Sequence, residues 1–190
     1  MTRTCLAICA VVSAIALGCQ GRRIGTESED ALVVLLPRDA LEIDPRLTGD
    51  AYGMKVSRLI FASLVTIDPY TLKPITDLAE SVEVIDPLHY RAKLRKNLKF
   101  SDGSALDAID VAATFRSVLS PEIGSRYAGT YRRIERIETP DRLTVDFHID
   151  GPHATFLTDL ELPVLRSEDA RVTLGTPGGP EPVGAGPYRL

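Results

Sequence analysis

An apolar run from Thr4 to Gly18 follows the single basic residue Arg3 and stops at Cys19. A charged start, an apolar core of about 7–15 residues and a small residue at the cut describe a secretory signal. The run is at the short limit for crossing a bilayer core of about 30 Å. Residues 1–18 are therefore expected to leave before folding. Cleavage before Cys19 removes 18 of the 190 residues and leaves 172, enough for one domain with a buried core. Cys5 and Cys9 leave with the signal, so the folded part must hold together without an internal disulfide.

Gly18-Cys19 resembles a lipobox, in which the cysteine thiol receives a diacylglycerol and becomes the new N-terminus. Ala16 stands where that pattern usually has leucine, with Leu17 one place later. A lone N-terminal cysteine in an exported chain fits lipid attachment, and each buried CH₂ of such an anchor contributes about 0.8 kcal/mol. Residues 20–30 carry almost nothing that could enter a core, so they read as a flexible tether behind a lipidated Cys19. Without Arg3 the chain has 21 basic against 26 acidic residues, a net of −5. That balance gives no reason to expect nucleic acid as a partner.

Order is expected from Ala31. Leu32–Leu36 is continuously apolar, the pattern of a strand buried on both faces. From Asp50 the period becomes helical, with Tyr52, Val56, Leu59, Ile60 and Ser63 on one stripe. Val82 and Val84 read as the inward teeth of one strand, and Asp86-Pro87 as the turn after it. In the next strand Tyr90, Ala92 and Leu94 alternate with His89, Arg91, Lys93 and Arg95. This makes the basic run a solvated sheet face. Ser101-Asp102-Gly103-Ser104 is a turn, Asp107 can cap the following helix, and Asp110 favours its first amides. Ala108, Val111, Ala112, Phe115, Val118 and Leu119 form that helix's buried face, and Ser120-Pro121 ends it. Leu143, Val145, Phe147 and Ile149 alternate inward along another strand. Pro152 suits the first turn of a short helix holding Phe156, Leu157 and Leu160. Tyr188-Arg189-Leu190 reads as the opening of a further strand that the chain does not finish.

Five stretches in order resemble the family 5 extracellular solute-binding proteins, the peptide- and nickel-binding components of ABC importers. They are Leu41–Pro45; Pro74 with Leu78-Ala79-Glu80-Ser81; Tyr90 with Leu94–Phe100; Ser101–Val111, which is the most specific; and Pro182–Tyr188. Val82 stands where the family usually has tryptophan, and the chain contains no tryptophan at all. The resemblance implies a mixed α/β, type II periplasmic-binding-protein-like fold of which this chain holds only part. Residues 31–45 would open lobe I, 46–177 would form its extra subdomain, and 178–190 would begin the return into lobe I. The second lobe would be absent.

The resemblance further implies a substrate-binding component that captures peptides or a related small solute in the periplasm, lipid-anchored at the membrane. It would deliver them to an ABC permease, without cofactor or resident metal. Asp39, Thr48, Tyr52 and Arg166 are the candidate ligand contacts, on loops leaving strands. Asp39 and Arg166 are suited to charged ligand ends. Two alternatives stay open: a nickel- or chelate-binding member of the family, with His148 and His153 as candidate ligands, and a non-binding remnant or small envelope interaction module. Catalysis is not expected. The chain has no Gly-x-Ser-x-Gly, no phosphate-binding glycine loop and no clustered nucleophile.

Overall fold

A computed structural model describes residues 35–175 and 181–189; the signal, Cys19, the tether and most of the expected Leu32–Leu36 strand lie outside those residues. The compact unit runs from Pro37 onward. Helix α1 (Ala51–Ile60) leads to a two-stranded antiparallel ribbon of β1 (Val65–Ile67) and β2 (Pro74–Thr76). Strands β3 (Ala79–Asp86) and β4 (His89–Leu94) follow as a hairpin. Next come α2 (Ala108–Val118), a short α3 (Ala128–Tyr131), β5 (Ile134–Asp141), β6 (Thr144–Ile149), a short α4 (Phe156–Asp159) and a single 3₁₀ turn, Asp169–Arg171. The main sheet has the order β3-β4-β6-β5, antiparallel throughout. The mixed α/β architecture expected from the sequence is the one found.

Alternation along β4 and β6 builds the core as expected. Register pairs Tyr90 with Phe147 and Ala92 with Val145, and Phe147 in turn faces Ile137 of β5. All five are buried. Helix α2 lies over β5 and β6, inserting Val111, Phe115 and Val118, each fully buried. Its start follows from chemistry local to the sequence. The Asp107 side chain accepts from the Ile109 amide at 2.9 Å, and Asp110 reaches back to the Asp107 amide at 2.9 Å, closing a capping box. The other Asp110 oxygen accepts from Ser167 N at 2.8 Å. Burial pushes the Asp110 carboxyl above its ordinary value, against the pull of the Asp107 and Ser167 amides.

The outer sheet face carries the basic run, and two of its members, Arg91 and His89, meet an acid across strands. Arg91 grips Asp146 of β6 with two bonds, at 2.7 and 2.8 Å. His89 also approaches Asp146, at 3.3 Å. The Arg91 hydrogen bonds hold the Asp146 carboxyl below its ordinary 3.8, His89 adding to the effect and burial opposing it. A lowered folded pKa means that this stabilisation is present above the unfolded value and is lost as pH falls through the folded one. Asp146→Asn is accordingly expected to destabilise the protein at pH 7. The gap to wild type should narrow steadily in urea titrations taken down toward pH 3, and a constant gap would show that the pairing contributes nothing.

Three expectations need correction, and one strand went unforeseen. The buried stripe of α1 is Gly53, Ser57 and Ile60, while Leu59 is 46% exposed. The helix approaches its neighbour through a glycine: a Cβ on Gly53 would lie 2.3 Å from the Glu42 carbonyl oxygen. A volume-based pattern does not foresee so close an approach. Val84 shares a row with Tyr90 but is 53% exposed, because it sits on edge strand β3, away from the part of the sheet that α2 covers. Strand β5 has no counterpart in the sequence reading. Its buried residues Ile134 and Ile137 are three apart, since a register shift between Ile134 and Arg136 breaks the alternation. Among the described residues, Tyr188 and Arg189 belong to no strand.

That last segment is held by backbone contacts instead. Gly186 N donates to Ile60 O at 2.7 Å, Tyr188 N to Leu59 O at 3.0 Å, and Gly184 O accepts from Ser101 N at 2.8 Å. A Cβ on Gly184 would meet Ile60 O at 1.9 Å, where backbone has no room to yield. Gly184→Ala should cost about 1–3 kcal/mol through the forced shift. An unchanged urea midpoint for that variant would refute the close approach.

Candidate functional site

A cavity of about 240 Å³ opens where four chain segments converge. The turn after Asp44 supplies Pro45 and Thr48, and α1 supplies Met54, Ser57 and Arg58. Tyr127 and Tyr131 form a second side, and the end of α4 with the loop that follows it closes the third through Asp159, Glu161, Leu162 and Pro163.

The turn is positioned by a buried ion pair. Asp44 and Arg46 are both fully buried, with Arg46 Nη2 2.6 Å from Asp44 Oδ2 and Nε 2.9 Å from Oδ1. The remaining Arg46 donors reach Ala170 O at 2.7 Å, Ser117 Oγ at 3.2 Å and Val172 O. Asp44 also accepts from Leu174 N at 3.0 Å. One two-residue-spaced pair thus ties the turn to α2 and to the 170–174 segment. Helix α1 then starts at Asp50, whose side chain accepts from Tyr52 N and Gly53 N at 3.0 Å each. Those two amides, with the Gly53 bond first, hold the Asp50 carboxyl below its ordinary range.

Inside the cavity most polar groups have partners. Tyr127 donates its hydroxyl to Thr48 O, and Tyr131 donates to Asp159 O at 2.7 Å. Burial, reinforced by the neighbouring Asp159, raises the Tyr131 phenol pKa well above its ordinary value, so it stays a neutral donor. The Asp159 carboxylate lies 2.7 Å from His153 Nε2. Arg58 and Glu161 form an ion pair at 3.0 Å, with side chains 57% and 27% exposed. Ser57 is the exception. Its buried Oγ has no hydrogen-bond partner.

Of the four sequence candidates, only Thr48 lines this cavity. Its hydroxyl donates to Asp44 O at 2.7 Å, so it shapes the turn as well. Tyr52 is half-buried beneath the Arg38 guanidinium, 5.4 Å from its ring centroid. Asp39 is exposed on the loop before. Arg166 is enclosed by acids: Asp169 at 2.6 Å, and Asp102 and Glu168 at 2.9 Å each. It fastens its loop to the 101–104 turn. Sequence reading missed Arg58, Glu161, Tyr127 and Tyr131, whose spacing carries no motif and whose meeting depends on tertiary contacts. His148 stacks on His89 with ring centroids 4.3 Å apart and pairs with Glu138, whereas His153 pairs with Asp159. Among the described residues, no three metal-ligating side chains gather.

The frame is shared with known proteins. A family model described as bacterial extracellular solute-binding proteins, family 5 Middle, matches residues 73–190. The glutathione-binding protein GsiB of Pectobacterium atrosepticum is 31% identical over 151 residues, covering 78% of this chain and 29% of that relative. Among solved structures, AgaA of A. tumefacien R10 in complex with agropinic acid aligns with a TM-score of 0.72 at 28% identity. NikZ of Campylobacter jejuni in complex with Ni(L-His) aligns at 0.70 and 25%. Each of these two alignments covers 80% of this chain and 31% of the other. The fold is that of a periplasmic binding protein over about four-fifths of the chain. With the family model spanning well over half of its residues, the chain belongs to the family 5 bacterial extracellular solute-binding proteins. It spans about three-tenths of the length of the curated relative described above.

Proposed function

We propose that the chain contributes one wall of the ligand cleft of an ABC importer's substrate-binding component. It captures a peptide or related small solute on the periplasmic side of the membrane for delivery to the permease. The observation that carries this reading is the cavity itself: four separate segments converge there and line it with both apolar side chains and paired charges, the usual composition of a small-solute site. Residues 31–45 and 178–190 act as lobe I pieces and 46–177 as its extra subdomain. Cys19 holds the assembly to the membrane through lipid. The role is binding without turnover, in keeping with a relative named for binding. The cavity favours an organic solute over a metal ion, because its carboxylates are already paired with Arg58 and His153.

The test is a thermal-shift series on the full chain with a panel of di- and tripeptides. A ligand present at about a hundred times its Kd stabilises by about 2.7 kcal/mol, which raises Tm by about 5–10 °C for a domain of this size. No shift with any peptide would favour the non-binding module instead.

A further inference from the structure

The ribbon of β1 and β2 ends in a prong, residues 68–73, that points large apolar side chains at solvent. Tyr70 and Leu72 at its tip are 93% and 74% exposed, and Ile75 on β2 is half-exposed. Leu72 stands at φ 56°, left-handed backbone in which the Cβ of a leucine is crowded. Glycine would sit there without that cost, so the fold alone does not call for leucine. Asp68 holds the tip together. One of its carboxylate oxygens accepts from Tyr70 N at 2.9 Å, Thr71 N at 2.6 Å and Thr71 Oγ1 at 2.9 Å. Leu72 N donates to Asp68 O at 2.8 Å, and Asp68 N donates to Lys73 O at 3.0 Å. Pro69 has no amide hydrogen. Every amide from Asp68 to Leu72 is therefore satisfied within the tip, the condition a segment must meet before it can leave water.

We infer that this prong dips into the interfacial layer of a lipid bilayer, with Leu72 and Tyr70 entering it and Lys73 meeting anionic headgroups. Tyrosine favours the depth at which the polar and apolar layers meet, and a lysine stem can lie along the apolar layer with its ammonium among phosphates. The Asp68 carboxylate is turned onto the tip's own amides, which leaves the exposed Lys73 as the charge the prong offers outward. Size favours lipid over protein as the occupant. A convex tip of two large side chains falls far short of the about 800 Å² per partner that a stable protein interface buries, whereas a bilayer needs no matching shape. Residues 20–34, between Cys19 and the described chain, span at most about 50 Å, so an anchor at Cys19 keeps the prong within reach of the membrane. A second, weak attachment would fix which face of the subdomain turns toward the bilayer. The inference rests on the membrane location proposed above and is independent of the solute captured.

The chain contains no tryptophan, so Tyr70→Trp puts a single fluorescent reporter at the tip of the full chain. On vesicles of mixed phosphatidylcholine and phosphatidylglycerol its emission should move to shorter wavelength and be quenched by lipids brominated on the acyl chains. Tyr188→Trp, exposed on another segment, should not respond. Attachment through the apolar residues 4–18 alone would leave both reporters in water. Adding Leu72→Gly to the tip reporter should weaken the response about fivefold through the lost apolar burial, while the urea midpoint stays the same or rises; a leucine kept for packing would lower the midpoint on removal. A tip reporter that stays in water on these vesicles overturns the lipid inference, and the peptide panel above decides ligand capture separately. A reporter that shifts on native envelope membranes but not on protein-free vesicles assigns the prong to a protein partner and overturns it as well.

Discussion

Replacing Arg46 with methionine is expected to lower the unfolding free energy by about 3–5 kcal/mol, the usual cost of leaving one member of a buried ion pair alone. The substitution keeps the length of the side chain but strips Asp44 of its charge partner in a site with no solvent exposure. It also leaves the carbonyls of Ala170 and Val172 and the hydroxyl of Ser117 without the donors that now reach them. Arg46→Lys should fall between wild type and methionine, because an ammonium keeps the charge but cannot span the same set of acceptors. Urea unfolding of the three proteins checks this, and a methionine variant with the wild-type midpoint would remove Arg46 from the list of structural anchors. The consequence for binding follows from geometry: Pro45 and Thr48 flank Arg46 on the chain and line the cavity, so loosening this turn should weaken solute capture too.

Phe115→Ala is expected to cost a similar amount, about 3–5 kcal/mol, for a different reason. The ring is fully buried on α2 and meets Phe147 at 5.0 Å and Tyr131 at 5.4 Å between centroids, both edge-on. Truncation removes its apolar burial and leaves a void among rings too rigid to collapse into it. Phe115→Leu should recover more than half of the loss if shape rather than aromaticity dominates. A midpoint within error of wild type for the alanine variant would mean that the helix does not pack on the sheet as described. Because Tyr131 also lines the cavity, the alanine variant should lose ligand affinity along with stability.

Much of this fold was legible where the chemistry is local. Asp107 and Asp110 are three residues apart in front of an apolar helix period, and the capping box they form needs nothing else from the protein. The alternation from Leu143 to Ile149 and from Tyr90 to Leu94 assigned inward faces correctly, because strand period is a property of the backbone. Legibility failed where a neighbour decides. Strand β5 hides its period behind a bulge, and Pro140 near its end is tolerated because β5 is an edge strand. The stripe of α1 is set by the contact of Gly53 with the Glu42 carbonyl, a clearance that no hydrophobicity pattern encodes.

The candidate site divides the same way. Thr48 could be named from the loop it occupies, yet Arg166 could not be told apart from it, since only the folded chain surrounds Arg166 with Asp102, Glu168 and Asp169. Arg58 and Glu161 stand 103 positions apart and meet only because the loop after α4 returns to α1. The sequence by itself determined the family, the cap of α2, the inward faces of β4 and β6 and the glycines of the 182–188 segment, all short-range patterns of residue type. Only the tertiary structure decided which charges face the cavity and which are bound up in the frame, because a side chain's partners are set by contacts between distant segments.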